Sequence, residues 1–216
     1  MNRRPLSKAV MLSDFDETIV NIDTGEFALE HFGDPNWKRI EEEYERGNIT
    51  FEEALRKEFG TIKVPQQVIL DELDKVVVMR PHFEALIEYC KSHSIPFTVV
   101  SGGLEFCIRH FLEDWLKFVD IYSPRAEYTS KGYVLTFPEL FDRDSINFKH
   151  DLVRYHRRRG SKVFYIGDGL GDYPAAKDAD VRFAIKDSRL AQECRKGNLQ
   201  HREVTDFQEV IEAIDE

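Results

Sequence analysis

Asp14-Phe15-Asp16-Glu17-Thr18 gathers acid directly behind an apolar run. In an extended chain, residues two apart project in the same direction, so Asp14 and Asp16 share a face. Side by side they repel unless a cation lies between them. Alone, an Asp-x-Asp of this kind is more often a solvated strand end than a site. Two further segments supply complementary chemistry. Val99-Val100-Ser101-Gly102-Gly103 sets a hydroxyl and open backbone amides just ahead of a helical pattern, which suits an anion. Gly167-Asp168-Gly169-Leu170-Gly171-Asp172 places two more carboxylates on a glycine-rich loop behind the apolar run from Val163 to Ile166. Gathered on one edge of a sheet, the three segments describe a hard divalent cation beside a phosphate.

The surrounding elements must do that gathering. Ala9 to Phe15, Pro96 to Ser101, Lys162 to Asp168 and Val181 to Ile185 are short runs rich in Val, Ile and Phe, the pattern of buried parallel strands. Helical spacing joins Phe83, Leu86, Ile87 and Cys90, and again Leu104, Cys107, Ile108, Phe111, Leu112 and Trp115. The alternation predicts an α/β fold: a doubly wound, Rossmann-like parallel sheet with its functional groups at the carboxyl ends of the strands. Ala126 to Phe137 alternates around Ser130-Lys131-Gly132 and predicts a β-hairpin. Asp23 to Pro81 is almost purely helical in pattern and too long for one crossover, which predicts a separate helical lobe. The expected division is a core of residues 1–22 and 82–216 with a cap of residues 23–81. Thr50 with Glu53, and Thr205 with Gln208, have the spacing of capping boxes.

Composition narrows the partners. The 216 residues carry 30 basic and 40 acidic side chains, a net charge of −10, so no broad basic field would attract nucleic acid or an anionic membrane. Hydrophobic residues make up 42%, enough for a core, yet no apolar run approaches a bilayer span. The expectation is a cytoplasmic monomer or homodimer. Cys90, Cys107 and Cys194 lie far apart and predict small core residues rather than disulfides or structural zinc. The seven histidines form no pair at helical ligand spacing, which disfavours a zinc hydrolase. The basic run His156-Arg157-Arg158-Arg159 reads as the solvated end of a helix.

With these segments in order, the chain resembles the haloacid dehalogenase superfamily of aspartyl phosphatases over nearly its full length. Asp14 to Thr18 is similar to that family's first motif, Ser101 to its second, Lys149 to its third and Gly167 to Asp172 to its fourth. The small helical insertion between the first two motifs is what the family calls a cap. Within the superfamily the chain resembles phosphoserine phosphatases and the methionine-salvage phosphatase acting on 2-hydroxy-3-keto-5-methylthiopentenyl-1-phosphate, and its first motif also resembles that of phosphoethanolamine/phosphocholine phosphatases. It departs where phosphoserine phosphatases place an arginine for the substrate carboxylate, since Glu58 stands there.

The resemblance implies a magnesium-dependent phosphomonoesterase acting on a small phosphate ester. Asp14 would be the nucleophile and Asp16 the general acid and base, with Thr18 donating hydrogen bonds in the loop or capping a helix. Mg2+ would be held by Asp14, the backbone carbonyl of Asp16 and Asp168, with Asp172 orienting water or Lys149. Ser101 and the Gly102 amide would hold phosphoryl oxygens, and Lys149 would offset their charge. Lys131 and Lys162 also lie near strands, but only Lys149 sits shortly before a helix leading to the fourth motif. Asp23, Glu26, Phe27, His31, Phe51, Arg56 and Glu58 are the expected substrate-binding set. A phosphomutase or phosphotransferase, and a phospho-accepting receiver module, are the competing functions.

Overall fold

The computed structural model describes residues 8–215, and residues 1–7 and 216 of the expected core lie outside them. In chain order the described elements are β1 (Ala9–Ser13), α1 (Thr24–Phe32), α2 (Trp37–Glu45), α3 (Phe51–Phe59), α4 (Gln66–Leu73), α5 (Phe83–Ser92), β2 (Phe97–Val100), α6 (Glu105–Phe111) and β3 (Val119–Tyr122). There follow β4 (Arg125–Thr129), β5 (Gly132–Thr136), α7 (Phe148–Arg158), β6 (Lys162–Gly167), α8 (Tyr173–Asp178), β7 (Val181–Ile185), α9 (Arg189–Lys196), β8 (Arg202–Val204) and α10 (Phe207–Asp215). Six strands form one parallel sheet in the order β3-β2-β1-β6-β7-β8. β1 sits where the winding reverses, flanked by β2 and β6. Met11 is in register with both Phe97 and Phe164, so the three strands end together and their last residues share one edge. A crevice at that reversal point is where such sheets bind ligands.

Side chains alternate across the sheet, and each face has its own core. Met11, Phe97, Phe164 and Phe183 pack with Phe83, Leu86, Phe207 and Val210 of α5 and α10. Val10, Leu12, Val163 and Tyr165 pack with Leu152, Ala175, Leu190 and Cys194 of α7, α8 and α9. Covering both faces explains the near-continuous apolar strands. All three cysteines are buried and free, as expected of small apolar residues.

Helices α1 to α4 share a third cluster, in which Ala28, Leu29, Trp37, Phe59, Ile69 and Leu73 meet Leu104 and Cys107 of the α6 segment and Tyr133 and Leu135 of β5. The β4–β5 hairpin forms where expected, but its apolar face packs on this helical lobe. Gly132, at φ 126°, lets the turn lie on the Gly60 carbonyl, where a Cβ would collide.

Some boundaries differ from the sequence expectation. The segment from Leu104 to Trp115 is α6 followed by a short 3₁₀ turn at Glu113–Trp115, not one helix. Thr50 and Glu53 do form a capping box. Thr205 and Gln208 do not: Asp206 accepts from the amides of Gln208 (2.8 Å) and Glu209 (3.3 Å), because it and not Thr205 is the residue directly before the first turn of α10. The basic run closes α7, where Arg157 pairs with Asp180 and Arg158 with Asp142. No helix among the described residues is long and apolar enough to cross a membrane.

Candidate active site

Asp14 leaves the end of β1 buried, and its Oδ1 accepts from the Phe15 amide at 2.7 Å. Its Oδ2 receives a hydrogen bond from Lys149 Nζ at 2.5 Å. Lys149 lies inside the first turn of α7, not ahead of the helix as expected. A cation there is opposed by the helix dipole, and two carboxylates compensate it. Asn147 caps α7 by accepting from the His150 amide (2.8 Å) while its own amide donates to the Gly171 carbonyl (2.9 Å), so one residue ties the helix start to the acidic loop.

Asp172 is the best-satisfied group in the site. Its Oδ1 accepts from Lys149 Nζ (2.7 Å) and the Tyr165 hydroxyl (2.6 Å), and its Oδ2 from the amides of Asp168 (3.1 Å) and Gly169 (2.9 Å). Asp168 accepts from Thr18 Oγ1 at 2.7 Å, so Thr18 is no helix cap; Asp23 caps α1, accepting from the Glu26 amide at 2.7 Å. Asp16 Oδ1 accepts from the Thr24 amide (2.8 Å) and hydroxyl (2.5 Å). The other oxygen, Oδ2, lies so close to Gly103 that a Cβ there would overlap it. Ser101 is buried at the end of β2, its Oγ accepting from the Gly103 amide at 3.0 Å.

The charges do not balance within the protein. Four buried carboxylates, Asp14, Asp16, Asp168 and Asp172, face one buried ammonium. Burial, then Asp172, push the Asp14 carboxyl up to about 7 against the pull of Lys149. Burial and Asp23 raise Asp16, and burial with Asp14 and Asp172 raise Asp168. Burial opposes ionisation of Asp172, yet the charge and hydrogen bond of Lys149 hold it below the usual carboxylate range. Burial likewise opposes the ammonium of Lys149, which Asp14 and Asp172 hold above its ordinary value. Asp14, Asp168 and Asp172 each bring an oxygen within 4.8 Å of the others. Oxygen donors, excess negative charge and this spacing fit a hard divalent cation such as Mg2+.

A cavity of about 430 Å³ opens over these groups and joins Asp14, Asp16, Ser101, Gly102, Lys149, Asp168 and Asp172 to one wall of the helical lobe. Of the expected substrate-binding set, Asp23, Glu26, Phe51 and Glu58 line it. Phe27, His31 and Arg56 do not: His31 stacks on Phe27 at 4.0 Å, and Arg56 donates to the Leu135 carbonyl and covers Phe137 at 4.4 Å. Trp37, Glu41 and Tyr44 of α2 line the cavity and escaped the sequence reading, although their spacing of four and three puts them on one helix face. Arg80 was also missed; it donates to the carbonyls of Thr18 (2.6 Å) and Thr205 (2.9 Å) and braces the loop behind β1.

The sequence profile of the haloacid dehalogenase-like hydrolases matches residues 11–177. The chain belongs to this family, and it is one of the family's phosphatases. It is 28% identical to the 2-hydroxy-3-keto-5-methylthiopentenyl-1-phosphate phosphatase of Bacillus pumilus, over 94% of this chain and 89% of that one. It is also 28% identical to Pdp3-interacting factor 1 of Schizosaccharomyces pombe, over 93% and 92% of the two chains. In fold it is similar to a substrate-bound phosphoserine phosphatase, with a TM-score of 0.71 and 21% identity over 96% of this chain and 98% of that one.

Proposed function

We propose that the protein hydrolyses small phosphate monoesters in two steps through a phosphorylated Asp14, with Mg2+ as cofactor. The observation that carries this reading is the pair of buried contacts from Lys149 to Asp14 and Asp172, beside Asp168 and Ser101. Asp14 Oδ2 attacks phosphorus and the ester oxygen departs with the proton of Asp16, whose burial beside Asp23 favours the protonated form. Asp16 then takes a proton from the water that cleaves the aspartyl-phosphate. Thr24 fixes the orientation of Asp16 for both transfers. Ser101 and the Gly102 amide hold phosphoryl oxygens, and Lys149 offsets the charge they share with Asp14. Mg2+, when bound by Asp14, Asp168 and the Asp16 carbonyl, supplies charge stabilisation to the phosphoryl group. Asp172 acts by orienting Lys149. In this reading residues 23–81 form the cap over a core of residues 1–22 and 82–216.

Incubation with p-nitrophenyl phosphate and Mg2+ tests it. Multiple turnovers are expected. Phosphorylation that stops at one equivalent would instead indicate a receiver module, and phosphoryl return to a second hydroxyl compound without net hydrolysis would indicate a mutase.

A further inference from the structure

Two neighbouring residues at the start of α3 dock on two neighbouring residues at the start of α7. The Phe51 ring stacks on Phe148, with centroids 5.9 Å apart, and lies 5.8 Å from Lys149 Nζ. It enters between two loops of the cavity floor, where a Cβ on Gly102 or Gly171 would come within 2.7 or 3.0 Å of it. Beside it, Glu52 Oε1 accepts from the Phe148 amide at 3.1 Å. The cavity lining includes Phe51 but not Glu52, so the Glu52 carboxylate meets the helix and not the ester. Glu53, the next residue, turns back to its own helix and accepts from the Thr50 amide at 2.9 Å.

The first amides of a helix have no partner within it. In α7, Asn147 Oδ1 serves the His150 amide, and the Phe148 amide is left to Glu52, 96 residues away along the chain. The same turn carries Lys149, whose ammonium the helix dipole opposes. A carboxylate at that end offsets the dipole. With Asn147 donating to the Gly171 carbonyl, the turn is anchored to the helical lobe on one side and to the acidic loop on the other. Lys149 Nζ must reach Asp14 and Asp172 together, at 2.5 and 2.7 Å, so a small shift of its turn breaks at least one of these contacts.

Resting on the phosphomonoesterase reading, we infer that Glu52 is a positioning residue for Lys149: the helical lobe completes the first turn of α7 and thereby holds the ammonium on Asp14 during phosphoryl transfer. Glu52 acts through the Phe148 amide and touches neither the ester nor Lys149 Nζ. Its loss frees the turn and weakens the charge compensation that Lys149 gives the transferring phosphoryl group. An interaction that matters most in the transition state is read in kcat rather than in KM.

The test measures kcat and KM for p-nitrophenyl phosphate with Mg2+, together with urea unfolding, in the parent, Glu52→Ala, Glu52→Gln and Glu53→Ala. Glu52→Ala should lower kcat by about tenfold, the scale of one hydrogen bond to a charged group, with KM within about twofold of the parent's. Glu52→Gln keeps an oxygen that can accept from the Phe148 amide and should recover most of that kcat. Glu53→Ala removes only the capping box of α3, so it should lower the unfolding midpoint and leave kcat near the parent's. A kcat in Glu52→Ala within about twofold of the parent's, a change confined to KM, no recovery in Glu52→Gln, or an equal loss of kcat in Glu53→Ala overturns the inference. Should Glu52→Ala fail to fold, Glu52→Asp decides in its place: it keeps the charge but falls short of the amide, and its kcat should drop where that of Glu52→Gln does not. Absence of turnover in the parent would overturn the phosphatase reading itself, a result distinct from turnover that Glu52 does not affect.

Discussion

On the floor of the cavity Asp172 accepts four hydrogen bonds, from Lys149, Tyr165 and two backbone amides, whereas on the helical wall Glu58 meets the carboxyl of another acid, Glu41. Both carboxylates are buried, so burial is not what separates them. The floor is built by strand ends and glycine loops, whose backbone amides supply donors at fixed positions. Those donors make it a preorganised electrostatic site, ready for a phosphoryl group of any ester. The wall is built from side chains of α2 and α3, which set the carboxyls of Glu41 and Glu58 against each other instead of against backbone amides. Such a wall can discriminate between leaving groups without altering the chemistry beneath it.

The largest effect should come from the floor. Asp14→Asn removes the proposed nucleophile and should lower kcat for p-nitrophenyl phosphate by about a thousandfold or more. Its unfolding midpoint should stay close to the parent's, because it also removes one carboxylate from an over-acidic cluster. EDTA should abolish turnover and added Mg2+ restore it. Substantial activity in the Asp14→Asn variant, or in the parent with chelator, would show that the floor is not the reacting centre.

Lys149→Ala should follow, with a loss of two or more orders of magnitude in kcat. It should also destabilise the fold by about 3 kcal/mol, since breaking a buried ion pair leaves Asp14 and Asp172 unpaired. Urea titration reads the second effect. Equal losses from Lys131→Ala, in the hairpin turn, would break the distinction between floor and surface.

How much of this was legible in the sequence divides along the same line. Asp14, Asp16, Ser101, Asp168 and Asp172 could be found because strand periodicity and glycines fix where the chain turns, and a parallel sheet aligns those turns. Thr24, Tyr165 and Arg80 could not, because their partners are chosen by packing across distant segments. β8, three residues long, carries no apolar run to betray it. In α1 the reading gave the cavity Phe27 and His31, but these stack on each other, and the face bearing Gly25, Glu26 and Leu29 turns inward instead. Helical periodicity identifies an apolar stripe, not which neighbour it meets.

Gly103→Ala probes how tightly the floor is built. Its Cβ would overlap Asp16 Oδ2 with no flexible neighbour to yield but Asp16 itself. Asp16 must then rotate away from Thr24, and kcat should drop by about tenfold to a hundredfold, the range for a displaced acid–base group. Because this change acts on leaving-group protonation, the loss should be smaller for p-nitrophenyl phosphate, whose leaving group needs no proton, than for an alkyl phosphate. An equal loss with both esters would place the damage elsewhere in the loop.

The last effect belongs to the wall and appears in stability rather than rate. The Glu58 carboxyl is pushed up to about 8 from an ordinary value of 4.5, by burial first and then by Glu41 and Asp23. For an acid raised in the folded state, the linked stability is fully present below the unfolded value and is lost as pH rises through the folded one. The parent should therefore weaken between about pH 5 and about pH 8, by up to about 1.4 kcal/mol per pH unit for one proton. Glu41 is raised too, so that proton belongs to the pair. Glu58→Gln places a neutral group beside Glu41 at every pH, and its stability curve should be flatter across this window, crossing above the parent's on the alkaline side. Urea unfolding at both ends of the window measures the difference. Parallel curves would mean that Glu58 already has its counter-charge in the folded protein, and the wall would then be as well satisfied as the floor.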